Sequence, residues 1–283
     1  MKVYVTSTSR FEHTGLRLPT VRILDRTLWG PDSTKGGPEV PEAEHVRAAL
    51  AAWAGPTTID IEHWNVDQRH VELERMTEEE LQANIDRMVD TMNLIRKVST
   101  AGTFGFYSLP TLREYWPAVR NIATLLDRWQ RRCERLMPLA QTTHVNYPSL
   151  YTFYDFDIRK SHTDDWKRYA EANVELTRRL FPKPVMPYLW PRYHDNGDKP
   201  YQPIGYDGWL MQLQHLKSLG VDGVVIWDAE GYFGRKGYPT WNGTTGWVNA
   251  TKFFLNQQGG GESQRTIVPP QPLQQGQRRR PPQ

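Results

Sequence analysis

Seven short apolar runs, separated by stretches with helical spacing, constrain the fold of this chain more than any other feature. Each run has the length and the β-branched or aromatic content of a buried strand. The runs are KVYVT (2–6), VRILD (21–25), TTIDIEH (57–63), GTFGFYS (102–108), HVNYPSLYT (144–152), PVMPYLW (184–190) and GVVIWD (223–228). Strands that alternate with helices predict a parallel sheet made of βα units.

Helical spacing covers five stretches: 41–53, 78–98, 111–139, 164–180 and 206–219. Thr77 followed by Glu80 predicts a capping box at the start of the second stretch. Residues 7–20 are too few for a full helix between the first two strands, so the fold is irregular at its start. We predict an α/β fold, a distorted TIM-like (β/α) barrel with seven strands.

The composition divides the chain into one domain and a tail. With 283 residues and 38% hydrophobic content, the chain is long enough to bury one large core. Residues 257–283 are rich in Gly, Pro, Gln and Arg, which predicts disorder. We therefore predict a catalytic barrel domain over 1–256 and a disordered tail over 257–283.

Charge and residue usage exclude several classes of partner. The 35 basic and 32 acidic residues leave a net charge of +3, so we expect no nucleic-acid partner. No apolar stretch is long enough for a membrane span or a visible signal peptide. Cys133 is the only cysteine and the eight histidines are scattered, so we expect no disulfide, metal or cofactor. Oligomeric state and cellular location stay open at this point.

The third run contains the first candidate site, an acid pair. Asp60 and Glu62 are two residues apart, so in a strand they share a face. Two carboxylates this close disfavour double ionisation, and one proton is retained by the pair. The retained proton suits a general acid at the carboxyl end of a barrel strand.

Two further acid pairs follow later strands. Asp155 and Asp157 come just after the fifth run, where loop and helix-cap roles are the better interpretation. Asp228 and Glu230 follow the seventh run. Asp228, beyond Trp227, is predicted to overlook the same barrel mouth as the acid pair.

Aromatic residues gather near the same strand ends. Aromatic rings stack on the C–H faces of sugars, and phenol hydroxyls bond to sugar substituents. The residues are Trp64, Phe106, Tyr107, Tyr147, Tyr151, Tyr188, Trp190 and Trp227. The chain has no P-loop, GxGxxG, HExxH or GxSxG motif. Acids in an aromatic pocket therefore favour glycoside hydrolysis.

Taken in order, the motifs resemble the hyaluronidase family of glycoside hydrolases, known from venom, sperm and lysosomes. The motifs are IDIEHW (59–64), FGFYSLP (104–110), NYPSLY (146–151), PVMPYLWPRYHD (184–195) and LGVDGVVIWDAEG (219–231). The resemblance covers most of residues 20–230. It implies a distorted barrel of seven strands, a polysaccharide substrate, and an extracellular or lysosomal location.

The resemblance also implies roles for individual residues. Glu62 matches the family's proton donor, which later acts as the base toward water. Asp60 matches the residue that orients the substrate's own 2-acetamido group, whose oxygen replaces a protein nucleophile. Tyr107 and Tyr151 match tyrosines expected near that group. Tyr188 and Trp227 match further pocket positions, and Trp64 and Asp228 complete the predicted substrate-binding residues.

The chain departs from the family pattern in two respects. It lacks the core disulfides of the vertebrate and venom enzymes, and His63 and Asn65 stand where those enzymes have basic residues. An uncharged N-acetylhexosamine polymer is therefore an alternative to hyaluronan or chondroitin. Basic residues elsewhere are candidates for restoring positive potential near the mouth: Arg159, Arg192, Arg235 and Lys236.

Three functional hypotheses remain open from the sequence. The first is a retaining endo-β-N-acetylhexosaminidase that uses the acetamido mechanism. The second is a retaining glycosidase for another sugar, with Asp228 or Glu230 as a protein nucleophile. The third is a catalytically silent barrel that binds glycans.

Overall fold

The computed structural model describes residues 1–7, 11, 14–30, 33, 36–99, 101–156, 160–197, 199–228, 241 and 244–259. Six parallel strands form one curled sheet within these residues. They are β1 (Lys2–Thr6), β2 (Thr20–Leu24), β3 (Pro56–Ile59), β4 (Thr103–Phe106), β5 (Tyr188–Leu189) and β6 (Gly223–Ile226). Their order across the sheet is β4-β3-β2-β1-β6-β5, and every pairing is parallel.

Helices lie between the strands, as the sequence predicts. They are α1 (Ala43–Leu50), α2 (Arg69–Glu72), α3 (Glu78–Val98), α4 (Trp116–Arg120), α5 (Ala123–Glu134), α6 (Met137–Thr142), α7 (Lys160–Leu180), α8 (Tyr206–Ser218) and α9 (Gly246–Gly259), with a short 3-10 helix at Arg26–Trp29. The capping box of α3 is confirmed, because Thr77 and Glu80 each bond to the other's backbone N–H.

Several boundaries differ from the prediction, and β3 ends at Ile59, before the predicted acid pair. The stretch 111–139 holds three helices rather than one, and Asn121 ends α4 in the left-handed conformation with φ of 50°. Helix α9 continues to Gly259, three residues into the predicted tail, while residues 260–283 lie outside the described part of the chain. None of the described helices is long and apolar enough to cross a bilayer.

Side-chain alternation along the strands separates two apolar clusters. Val224 and Ile226 of β6 pack outward with the helices in the main core. Val225 and Trp227 point the other way, into a smaller cluster rich in tyrosine and tryptophan inside the curl of the sheet. The inner cluster therefore forms the floor of the candidate site.

The predicted number of seven strands is not confirmed, because residues 144–152 form isolated bridges instead of a strand. Tyr147 bridges to Tyr107 on one side, and Ser149 bridges to Tyr188 on the other. Pro148 has no N–H to donate, which interrupts a regular ladder at this point. Gly105 permits the close approach, since a Cβ there would lie 2.2 Å from the Val145 carbonyl oxygen.

Candidate active site

A cavity of about 320 Å³ opens at the carboxyl ends of the strands, over the inner aromatic cluster. Its described lining brings together six of the predicted site residues, Asp60, Glu62, Tyr107, Tyr151, Tyr188 and Trp227. The other lining residues are Ile23, Thr58, Arg113, Trp190, His194, Asp195 and Tyr201. Parallel βα folds place their ligand sites at this end of the sheet.

Asp60 lies just beyond β3 and remains tied to the sheet. Its backbone N–H donates to the Leu24 carbonyl oxygen at 2.8 Å, so the β2–β3 ladder fixes where the side chain starts. The Asp60 Oδ1 atom is buried and has no hydrogen-bond partner among the described residues. Burial first, then the charges of Glu62 and Asp25, raises the pKa of Asp60 to about 7. The Asp60 carboxyl group is therefore partly protonated at neutral pH.

Glu62 is exposed and lies between two cavities. The second cavity has a volume of about 240 Å³. Four residues line both: Asp60, Glu62, Tyr107 and Arg113. We call the two cavities together the cleft. Since the acid pair lies where they meet, a bound polymer can extend to both sides of it.

Three tyrosines hold hydroxyl groups at the cavity wall. The Tyr188 hydroxyl donates to Thr58 Oγ1 at 2.7 Å, and the hydroxyls of Tyr107 and Ser149 are 3.3 Å apart. Burial raises the pKa of Tyr107 to about 12 and holds the pKa values of Tyr151 and Tyr188 well above the usual value. All three phenols therefore stay protonated. The Tyr188 proton is used in the bond to Thr58, so Tyr107 and Tyr151 are the donors available to a ligand.

Aromatic rings supply an apolar face in the same cavity. The rings of Tyr151 and Trp227 are stacked, with centroids 5.9 Å apart and planes inclined by 16°. The Trp190 ring meets Trp227 edge-on at 5.2 Å. Edge-to-face contacts of this kind hold the rings rigidly, which preserves a flat surface for a sugar ring.

Arg113, His194 and Asp195 form a charged group that the sequence reasoning did not identify. Arg113 Nη1 lies 3.3 Å from His194 Nε2, and His194 Nδ1 lies 2.6 Å from an Asp195 carboxylate oxygen. Burial and the Arg113 charge lower the pKa of His194, so its ring is neutral at neutral pH. These partners assign the proton to Nδ1, and Nε2 accepts from Arg113.

Trp64 has a supporting position. It is 5% exposed, and its ring centroid lies 5.4 Å from that of Trp29 and 5.0 Å from that of His63. Among the described residues it lines the second cavity but not the first. Trp64 therefore packs beneath the loop that carries Glu62.

The expected place of Asp228 at the barrel mouth is corrected by the structure. Asp228 is 1% exposed and lines neither cavity of the cleft. Arg192 donates to it at 2.9 and 3.1 Å, the Trp190 indole donates at 2.7 Å, and the Trp241 indole also donates. Asp228 thus neutralises the Arg192 charge, so Arg192 adds no positive potential at the barrel mouth.

Several predicted residues lie outside the described part of the chain: Asp157, Arg159, Glu230, Arg235 and Lys236. Asp155 is described and has a structural environment. It is completely buried, with Lys199 Nζ at 2.5 Å and the Tyr193 hydroxyl at 3.2 Å.

Side chains that could ligate a metal ion lie together at one place within the described ranges. One group of side chains there, Glu42, Glu44 and His45, has ligand atoms within 4.8 Å of one another. It lies at the start of α1 and lines neither cavity of the cleft.

The cleft has the parts needed for acid–base chemistry on a sugar polymer. A buried carboxyl group with a raised pKa stands beside an exposed one, and phenol donors and flat rings surround both. A pair of this kind retains one proton near neutral pH and can transfer it to a bound oxygen atom.

No family model and no curated protein matches this chain. Among solved structures, bee venom hyaluronidase is similar over 91% of this chain and 97% of that chain, with 17% identity and a TM-score of 0.56. The same enzyme in complex with a hyaluronic acid tetramer is similar over 84% of each chain, with 16% identity and a TM-score of 0.57. A Podospora anserina GH26-CBM35 β-(1,4)-mannanase covers 88% of this chain and 60% of that chain, with 12% identity and a TM-score of 0.39. The bee venom comparisons show that this chain has a TIM-barrel-like fold.

Proposed function

We propose that this chain is a retaining endo-β-N-acetylhexosaminidase that hydrolyses hyaluronan- or chondroitin-type polysaccharide by substrate-assisted catalysis. The observation that carries the proposal is the buried Asp60 Oδ1 atom, which has no hydrogen-bond partner among the described residues and lies in a sugar-sized cavity that Glu62 also lines. A buried acceptor without a partner is costly unless a ligand supplies the donor. The acetamido N–H of an N-acetylhexosamine is such a donor.

The reaction then follows from the acid pair. An acetamido N–H that donates to Asp60 favours the ionised form of Asp60, so in this scheme the proton of the pair is on Glu62 when the substrate is bound. Glu62 donates this proton to the leaving glycosidic oxygen as the acetamido oxygen attacks the anomeric carbon and the C–O bond breaks. Asp60 accepts the acetamido N–H and stabilises the positive charge of the cyclic oxazolinium intermediate. Glu62, now a carboxylate, takes a proton from water, which opens the intermediate from the face that the leaving group occupied. Two displacements at one carbon give net retention.

The tyrosines support the acetamido group in this scheme. Tyr107 and Tyr151 line the cavity with Asp60, and their raised pKa values keep both hydroxyls protonated. A phenol O–H can donate to the acetamido oxygen and place it under the anomeric carbon. Holding the reacting atoms close replaces a bimolecular encounter.

An anionic polymer is supported by Arg113. It lines both cavities and is the one guanidinium among the described residues of the first. No carboxylate of the described residues forms an ion pair with it, and its identified polar partner is the neutral His194 ring. A uronate carboxylate beside the cleaved sugar would satisfy the remaining N–H groups. Of the two substrate classes that the sequence left open, this arrangement favours the anionic one.

A second candidate function is glycan binding without turnover, which the rigid aromatic wall favours. Hydrolysis through a protein nucleophile is less well supported for Asp228, because that carboxylate is buried and holds Arg192. Trapping with a fluorinated sugar tests this route for the whole chain, including Glu230, because a labelled carboxylate would contradict the acetamido mechanism.

The test of the proposed function is mass spectrometry of products from the wild type and Glu62→Gln. Each protein is incubated with hyaluronan, chondroitin and a neutral N-acetylglucosamine polymer from acid to neutral pH. We expect saturated even-numbered oligosaccharides from an anionic polymer with the wild type only. Intact polymers throughout, with retained binding, would replace the hydrolase by the glycan-binding candidate.

A further inference from the structure

A third cavity, next to the cleft, is lined by four arginines, and we call it the arginine pocket. Its volume is about 260 Å³, and its lining residues are Gln68, Glu72, Arg128, Arg131, Arg132 and Arg135. The arginines are spaced by three, four and seven residues, which places them along one face of α5 and the residue that follows it. Like charges at this spacing repel one another. Carboxylates of Asp127, Glu114 and Glu78 pair with three of the four, and Glu72 also lines the pocket, so Arg128 is the one without an ion pair among the described residues.

Two of the four guanidiniums are fixed by the fold. Arg132 is 7% exposed, and its Nη2 atom lies 2.6 Å from Glu114 Oε1. Arg135 pairs with Glu78 at 2.6 Å and donates to Gln68 at 2.5 Å. These contacts hold the inner part of the pocket in place, so a ligand would meet preorganised charges.

The guanidinium groups of the other two arginines are available to a bound anion. Arg128 is exposed and has no ion pair among the described residues. Arg131 pairs with Asp127 across one turn of the exposed helix surface, a contact that contributes little to stability. The buried Nε of Arg132 also has no hydrogen-bond partner among the described residues. The pocket therefore has several N–H donors without an acceptor among the described residues.

The arginine pocket and the second cavity of the cleft lie on two sides of residues 67–69. Asp67 and Arg69 line the second cavity, and Gln68, between them, lines the arginine pocket. The Asp67 carboxylate lies 3.8 Å from Arg132 Nη1, so the two cavities share a charged boundary. A polymer that leaves the second cavity over residues 67–69 therefore meets the arginines next.

We propose that the arginine pocket binds carboxylate or sulfate groups of an anionic polysaccharide, beyond the sugars held in the cleft. The proposal rests on the proposed function for the polymer's path, and it assigns a separate site to the arginines. Guanidinium groups suit these anions because their planar N–H pairs match two oxygens at once. Contacts of this kind lengthen the bound segment and depend on salt.

The test measures binding in the Glu62→Gln background, so that no polymer is cleaved. Isothermal titration gives Kd for long hyaluronan and long chondroitin sulfate, for a tetrasaccharide of each, and for a neutral N-acetylglucosamine oligomer. We expect added Arg128→Gln to raise Kd for the long anionic chains about fivefold at low ionic strength. The rise should shrink at high salt and be absent for the tetrasaccharides and the neutral oligomer. Arg47→Gln is the matched control, because Arg47 is exposed on α1 and has no ion pair among the described residues.

Two results would overturn the inference. Unchanged Kd for long anionic chains would show that the arginines bind no part of the polymer. Equal weakening for tetrasaccharides and long chains would place the effect in the cleft or in the fold. Hydrolysis by the wild type is scored separately, so polymers that stay uncut while Arg128→Gln weakens binding would remove the hydrolase and keep the anion site.

Discussion

Two carboxylates that follow strands of the same sheet have opposite environments. Asp228, after β6, is 1% exposed and accepts hydrogen bonds from Arg192, Trp190 and Trp241. Asp60, after β3, has a buried oxygen with no partner among the described residues, and burial with the nearby acids raises its pKa to about 7.

The difference separates an acid that stabilises the fold from one whose oxygen is available to a ligand. A buried charge with a complete set of donors holds its neighbours in place, and removing it leaves those donors without an acceptor. A buried acceptor without a donor lowers the stability of the empty protein and is compensated when a ligand binds. We therefore expect loss of Asp60 to affect activity and loss of Asp228 to affect stability.

The largest expected effect is on catalysis by Asp60→Asn. The amide cannot balance the positive charge that develops on the acetamido group, so we expect kcat to fall about a thousandfold. The free energy of unfolding should stay the same or rise, because a buried charge without a partner is removed. Steady-state kinetics and urea unfolding measure both. A rate within tenfold of the wild type would place Asp60 outside the chemistry.

The converse change, Asp228→Asn, should destabilise the fold. It leaves the buried Arg192 charge without its counter-ion, so we expect the free energy of unfolding to fall by about 3 kcal/mol. Asp127→Asn is the control, because it breaks an exposed ion pair and should cost less than about 1 kcal/mol. If Asp228→Asn and Asp127→Asn had equal urea midpoints, Asp228 would not be an acid that stabilises the fold. The distinction between Asp60 and Asp228 would then be lost.

The raised pKa of Asp60 also predicts how stability depends on pH. The folded state holds the Asp60 proton more tightly than the unfolded state, in which the pKa of this carboxyl group is about 3.8. Stability from this group is therefore fully present below about pH 4 and is lost as pH rises to about 7. We expect the wild type to lose about 4 kcal/mol relative to Asp60→Asn across this range, since each pKa unit corresponds to about 1.4 kcal/mol. Parallel curves for the two proteins, from urea unfolding at each pH, would contradict the shift.

A smaller effect is expected for Arg113→Gln. If Arg113 binds a uronate carboxylate, KM for an anionic polymer should rise about tenfold while KM for a neutral N-acetylglucosamine polymer changes little. Arg120→Gln is the matched control, because Arg120 is exposed on α4 and lies over the Trp116 ring, 4.6 Å from its centroid. An equal rise in KM for both polymers would make Arg113 a positioning residue without charge selectivity.

The sequence predicted the site residues that come at the ends of the predicted strands. Asp60 and Glu62 both line the first cavity, as predicted, but β3 ends at Ile59, so they directly follow the strand instead of sharing one of its faces. Tyr107 and Trp227 directly follow strands, so their place at the same edge of the sheet could also be predicted. Pro148 explains the miscounted strand, because a residue without an N–H breaks the ladder where the apolar run continues.

The remaining features depend on contacts between distant residues. The Arg113–His194 contact joins residues 81 positions apart, and loops have no period that would place their side chains. The partners of Asp228 are likewise remote in sequence, since Arg192 is 36 residues away. The adjacent pair His194–Asp195 in PVMPYLWPRYHD was the one available signal, because a neutral histidine beside an acid often marks a polar site.

The central claim is that the substrate's acetamido group, oriented by Asp60, replaces a protein nucleophile. Proton NMR of the first product formed from an N-acetylhexosamine polymer tests it most directly, before the anomers equilibrate. We expect the new reducing end to appear first as the β anomer, with the α anomer growing in only by mutarotation. A first product with the α configuration would exclude the acetamido mechanism, because inversion requires direct attack by water and leaves no step for the acetamido group.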